Sequence, residues 1–235
     1  LPAEMAPRTF PPLIISQRRA LPSRKTSFPI FADDVADAWL QLLNLIMLCG
    51  TVKGTRKGDR LTEVLNTIVT IKLKDKEEPL SSYFDFGADE FELYYQRFIS
   101  PHHTEGVDYT YGARLQNWDW LNPITGKMGP VNQLQNTINR LQRSQDTKRA
   151  TMVLLGPTDL DALDDAPCLV LITFNIVAEQ LYGTYVIRSN DIYNAWPFNA
   201  LSLTRLQREV AQKIALSPAS ATLISHSAHI YERDW

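Results

Sequence analysis

Cys168 opens an apolar run, Cys168–Val177, directly after Asp164-Asp165-Ala166-Pro167. A lone cysteine at the head of a strand is by default a small buried hydrophobe. It becomes a nucleophile where a neighbouring cation favours the thiolate. The sequence offers such a cation. Leu181–Ser189 reads as a second strand, joined to the first by a short turn around Glu179. Counting outward from that turn places Arg188 at the same end of the hairpin as Cys168. The stretch that follows, Arg188 to Asn199 (RSNDIYNAWPFN), interleaves Arg188, Asp191 and the amides Asn190, Asn194 and Asn199 with Tyr193, Trp196 and Phe198. Polar clusters are usually solvated loops. Rings between the polar groups want cover, so the polar groups are expected to line a pocket.

Several elements must position these residues. Val35, Ala38, Trp39, Leu42, Leu45 and Ile46 repeat at helical spacing after Asp33-Asp34, with Gly50 as the closing cap. Residues 51–60 read as a polar loop, and Thr67–Leu73 reads as a strand. Ala88–Ile99 fits a helix, Pro101–Pro130 reads as irregular, and Val131, Leu134, Ile138 and Leu141 mark an amphipathic helix. Ala150–Leu155 is a strand, a helix begins near Pro197 and runs through Ile214, and Ala221–Tyr231 is a last strand. Six prolines in residues 1–31 predict an extended arm or linker, followed by one catalytic domain over residues 32–235. Helices and strands in unequal blocks predict an α+β fold.

Composition narrows the function. The 235 residues are 44% hydrophobic and 21% charged, a globular balance with room for a sizeable core. Lysine plus arginine is 24 and aspartate plus glutamate 26, a net charge of −2 that argues against a nucleic-acid binder while leaving a local anion site open. The apolar runs are too short for a membrane span. Two distant cysteines, Cys49 and Cys168, predict a reduced, cytoplasmic chain rather than a disulfide framework. The four histidines and two cysteines have no metal-ligand spacing, so no metal is expected.

The chain resembles the thymidylate synthase family. The resemblance rests on Pro167-Cys168, Arg188-Ser189-x-Asp191, Pro197-Phe198-Asn199 and His229-Ile230-Tyr231, in the family's order and spacing. Tyr111-Gly112, Lys148-Arg149 and Arg56 agree as well, and the match spans about residues 33–231. It implies a three-layer α+β fold on a large mixed sheet that packs against the same sheet of a second chain. It implies transfer of a one-carbon unit to C5 of dUMP from methylene-tetrahydrofolate or methylene-tetrahydromethanopterin. Cys168 would add to C6, and Tyr111 and Glu92 would move protons near C5, with Glu92 aligning across a one-residue gap. Asn199 would read the base, where relatives acting on cytosine nucleotides carry aspartate. Arg188, Ser189 and Arg56 would bind the phosphate, together with Lys148 and Arg149 from the other subunit of a homodimer. His229 and Tyr231 would contact the sugar, and Asp191 the pterin.

The sequence also departs from the family. Leu169 follows the cysteine where many members have histidine, and the tryptophans that wall the folate site have no counterpart before Tyr111. Four residues follow Tyr231, a shorter outline resembling the archaeal branch, which is thought to use a methanopterin-type carrier. Two other readings stay open: a hydroxymethylase on the same scaffold, and a non-catalytic nucleotide-binding domain of a longer protein.

Overall fold

The computed structural model describes residues 26–55, 58–77, 79–163 and 165–235. Its elements run β1 (Thr26–Ala32), α1 (Val35–Cys49), β2 (Thr51–Gly54), β3 (Arg60–Lys72), α2 (Ala88–Ile99), α3 (Tyr111–Gln116), β4 (Trp118–Leu121), β5 (Met128–Val131), α4 (Gln133–Arg143), β6 (Thr151–Val153), α5 (Asp159–Ala162), β7 (Leu169–Val177), β8 (Gln180–Asp191), α6 (Trp196–Lys213) and β9 (Ser217–Tyr231). Among the described residues no helix is long and apolar enough to cross a membrane.

The sheet is large and mixed. Its seven strands follow the order β1-β3-β9-β8-β7-β6, with β2 also on β3. β1 and β3 are parallel, as are β8 and β9, and the other pairs are antiparallel. Directly paired residues share a face, so the register sorts side chains into rows across the strands. One row runs Ile30, Val69, Leu223, Tyr185, Ile172 and Met152, all buried. Helices α1 and α6 lie against the sheet, and α2 packs on α6 and α3.

The next residue along each strand faces the other way. There Thr70, Thr222, Thr184, Thr173 and Thr151 form a threonine row. Its end pairs are joined through their hydroxyls, Thr70 to Thr222 at 3.3 Å and Thr151 to Thr173 at 2.8 Å. Beside it runs an apolar row of Ile68, Ile224, Val186, Leu171 and Val153, with Ile68 and Val153 exposed.

Several expectations need correcting. The last seven residues of the stretch read as an arm and its end, Thr26–Ala32, are a sheet strand, while residues 1–25 lie outside the described residues. Residues 51–54, expected in a loop, form β2. β3 begins at Arg60 instead of Thr67, because Arg60, Glu63 and Asn66 interrupt its apolar pattern. Asn66 sits at φ 55°, a left-handed geometry that asparagine tolerates. The stretch 101–130 holds α3 and the β4–β5 hairpin. Six residues are too few to show a helical period, and α3 is started by Thr110, whose hydroxyl accepts from the Ala113 amide at 3.2 Å. α4 starts at Gln133 because the Asn132 side chain caps it, leaving Val131 in β5.

The β7–β8 turn is strained. Ala178 and Glu179 both have positive φ, 48° and 59°, where asparagine and glycine are at ease. Replacing the pair with Asn-Gly should therefore stabilise the protein by about 1 kcal/mol. A urea denaturation midpoint no higher than that of the parent would show the turn to be unstrained.

Candidate active site

The β7–β8 hairpin brings Cys168 and Arg188 together as the sequence register predicts. The Arg188 amide donates to the Cys168 carbonyl at 2.8 Å. The Arg188 guanidinium turns back over the preceding turn, with Nε donating to the Pro167 carbonyl at 3.0 Å and Nη2 to the Ala166 carbonyl at 2.6 Å. The segment before the cysteine is thus clamped by the same cation that faces its thiol. Cys168 is half-buried. Burial pushes the thiol pKa up, and Asp165 adds to that, while Arg188 pulls it down without overcoming the burial. The expected effect of Arg188 has the right sign and is outweighed.

Tyr111 joins this pair from α3. Its hydroxyl oxygen accepts from the Leu169 amide at 3.3 Å. Gly112 makes the placement possible, since a Cβ there would lie 2.1 Å from the Ser100 carbonyl oxygen at the end of α2. Tyr109 lies beside Tyr111, close enough to the thiol of Cys168 that a thiolate there would raise its pKa further. The two rings sit 5.5 Å apart. Burial holds the Tyr111 pKa well above that of a free phenol, so its proton stays in place at neutral pH. Tyr109 is a site residue that the sequence reading left among the aromatics of an irregular stretch. Its spacing to Tyr111 was the only available signal.

Asn199 enters from the first turn of α6, where Pro197 occupies a first-turn position. Its Oδ1 accepts from the Tyr94 hydroxyl on α2 at 2.9 Å. The Tyr94 ring meets Phe98 at 6.4 Å and Phe98 meets Tyr111 at 5.5 Å, which links the base-reading candidate to the cysteine's neighbours.

On the other side of Arg188, the ends of β8 and β9 pair Asp191 with His229 and Ser189 with Ser227. His229 is buried, and this lowers its pKa. Its Nδ1 lies 3.3 Å from Ser227 Oγ, and Ser227 donates to Glu63 at 2.5 Å. Tyr231 stands edge-on to the His229 ring at 5.2 Å, and burial together with the nearby Asp191 raises its pKa. The Asp191 carboxylate accepts from the Tyr193 and Asn194 amides, both at 3.1 Å, so it also shapes the turn into α6.

Three expected site residues are not brought here. Glu92 is on the opposite side of α2 from Tyr94, where its carboxylate accepts from Arg205 and Gln96 at 2.7 Å each. Arg205 is also bound by Glu77 and packs on the Phe91 and Tyr95 rings, so Glu92 belongs to a clasp that ties 77, α2 and α6 together. Lys148 and Arg149 are exposed, and Lys148 reaches Asn175 Oδ1 at 3.5 Å. Asn175 lies six residues along β7 from Leu169, roughly 20 Å away at strand rise. Arg56 lies outside the described residues. Among the described residues no three His, Cys, Asp or Glu side chains group so as to hold a metal ion.

A mixed sheet thus carries a cysteine beside an arginine at a hairpin end, with an asparagine at a helix start bonded to Tyr94 nearby. A sequence model of the thymidylate synthase family matches residues 89–235. A protein of Methanococcoides burtonii named "Putative thymidylate synthase" is 33% identical over 210 residues, covering 88% of this chain and 90% of its own. A protein of the same name from Methanothermobacter thermautotrophicus is 33% identical over 225 residues, with 88% and 94% covered. The chain belongs to the thymidylate synthase family, and these relatives are archaeal.

The pKa balance at Cys168 can be tested directly. Because burial raises the thiol pKa and Arg188 lowers it, alkylation by iodoacetamide should rise with pH later than for an ordinary cysteine. Arg188→Met, which removes the charge and keeps the bulk, should move that profile further toward high pH. Peptide mapping separates Cys168 from Cys49, and an unmoved profile would mean that the guanidinium does not act on the thiol.

Proposed function

We propose that this protein transfers a one-carbon unit to C5 of dUMP through a covalent Cys168 adduct at C6. The observation that supports the reading is the clustering of Cys168, Arg188, Tyr109 and Tyr111 at one hairpin end, with Asn199 joined to it through Tyr94 and Phe98. The Cys168 sulfur forms a bond to C6 and the ring electron pair moves toward C5 and O4. The Asn199 amide donates to O4, where that negative charge collects. C5, now nucleophilic, takes the methylene group of a reduced folate or a methanopterin-type carrier. After the C5 proton is lost and the methylene carbon has left the carrier's nitrogen, hydride from the same carrier, which is oxidised in giving it, reduces the methylene to methyl as the Cys168–C6 bond breaks and the ring double bond returns. Tyr111 would exchange a proton near C5, a role supported by its protonated hydroxyl and its bond to the Leu169 amide next to Cys168. Arg188 and Ser189, with Arg56, would hold the phosphate, His229 and Tyr231 the sugar, and Asp191 the carrier's pterin. A guanidinium suits a phosphate dianion.

The exposed outer rows of the sheet support a homodimer. Ile68, Ile224, Val186, Leu171 and Val153 form an apolar stripe across five strands, the kind of surface that a second copy of the same sheet would cover. Lys148 and Arg149, remote from Cys168 within one chain, then have a use as donors to the partner's phosphate site.

Incubation with dUMP and methylene-tetrahydrofolate, or with the methanopterin carrier, should give a nucleotide heavier by one methyl group in mass analysis. Cys168→Ala should abolish this product while leaving dUMP affinity within about tenfold, because affinity comes mainly from charge-assisted phosphate contacts. Turnover by the alanine variant would remove the covalent route. Hydroxymethylated product would favour water over hydride as the final reagent.

The shared site predicts complementation. Arg149→Ala and Cys168→Ala are each expected to be inactive. Mixed after reversible dissociation, they should regain up to roughly a quarter of wild-type sites, since each heterodimer has one doubly defective and one intact site. A mixture that exchanges subunits and stays inactive would place Arg149 outside the partner's site.

A further inference from the structure

An asparagine can read either pyrimidine. Its amide offers an acceptor and a donor, and rotation by 180° about the last bond exchanges them. Uracil presents N3–H as a donor and O4 as an acceptor, while cytosine presents N3 as an acceptor and N4 as a donor. Asn199 alone therefore does not select a base, and whatever fixes its amide does.

We propose that Tyr94 is the positioning residue that makes Asn199 read uracil, by donating its hydroxyl hydrogen to Oδ1 and so fixing which edge of the amide faces the base. The inference rests on the dUMP reading of the site given above. The bond is 2.9 Å long and joins α2 to α6. Both partners are held. The Asn199 amide nitrogen of the backbone donates to the Ala195 carbonyl at 3.1 Å. The Tyr94 ring packs at 4.8 Å on Phe198, which stacks at 3.8 Å on Phe86. Phe98 closes the other side at 6.4 Å.

With Tyr94 on one lone pair of Oδ1, the second remains for the uracil N3–H, and Nδ2 is presented to O4. Binding cytosine would need the amide turned over. Nδ2 would then meet the Tyr94 oxygen, and the hydroxyl hydrogen would need a new acceptor. The Phe98 and Phe198 rings around it supply none. Burial pushes the Tyr94 pKa up to about 12, so the hydroxyl keeps that hydrogen throughout the neutral range. The bond thus penalises the wrong base without touching either base.

The test uses the full chain without a carrier and measures dUMP and dCMP affinity by calorimetry for wild type, Tyr94→Phe, Asn199→Ala and the double variant. Tyr94→Phe should lower the dUMP-to-dCMP affinity ratio about tenfold, the scale of one lost or mismatched buried hydrogen bond. In the Asn199→Ala background the same change should alter the ratio less than about twofold, because the coupling passes through the amide. A ratio unmoved by Tyr94→Phe in a protein that binds dUMP overturns the inference and leaves the proposed function standing. A shift that persists without Asn199, or an equal loss of both nucleotides with a lowered melting temperature, also overturns it by showing that the ring acts structurally. Wild-type protein that binds neither nucleotide removes the proposed function, and the inference falls with it.

Discussion

The hydrogen bond from the Arg188 amide to the Cys168 carbonyl fixes the register on which the site depends. A slip of one residue would turn every side chain of β8 to the other face. Tyr185 and Ile187 would leave the core, and the Arg188 guanidinium would leave the Ala166 and Pro167 carbonyls. The core and the site are therefore set by one alignment. The buried row through Met152, Ile172, Tyr185 and Leu223 holds the register that the site uses. Tyr185 is locked further, its hydroxyl reaching Gln207 and the Leu203 carbonyl of α6.

Phenols carry much of the second half of the site. Tyr111 takes the amide of Leu169, Tyr109 packs on the Tyr111 ring, and Tyr94 holds Asn199. All three have raised pKa values because they are buried or crowded, so they serve as fixed donors and acceptors rather than as charges. Leu169, by contrast, contributes its backbone amide and a fully apolar side chain. Behind Tyr111, Arg114 bonds Asp159 and the Leu154 carbonyl and stacks 4.5 Å over Trp118. A buried arginine so fully paired holds α3 firmly against the β6 end of the sheet.

The hairpin, α1, α2 and α6 were legible because each has a clear period and a recognisable start. Asp34 caps α1 by accepting from Asp37, and Pro197 marks the first turn of α6. Elements whose patterns were short or broken were not legible: α3, the β4–β5 hairpin and the first half of β3. In the candidate site, residue types and spacing point to Cys168, Arg188 and Asn199, and the family resemblance points to Tyr111, all within local motifs. Tyr94 and Tyr109 were hidden, because their roles come from long-range packing between α2, α6 and the loop before α3. Glu92 shows the converse. An alignment selects a position, while the direction of the side chain follows from the helix period and from Arg205.

The strand order carries a consequence for how the chain acquires this shape. β9, the last strand in sequence, lies between β3 and β8. Without Ser217–Tyr231 the sheet divides into β1-β3-β2 and β8-β7-β6, and among the described residues no other strand joins the two parts. Each then exposes the edge that β9 will occupy, along Val64–Ile71 on one side and Gly183–Asn190 on the other. The joining contacts span 148 to 170 residues from β3, so loop closure comes late and costs more entropy than the hairpins do. During synthesis the site cannot be complete until that strand is inserted. His229 and Tyr231 arrive with it, and the same event that closes the sheet sets His229 beside Asp191.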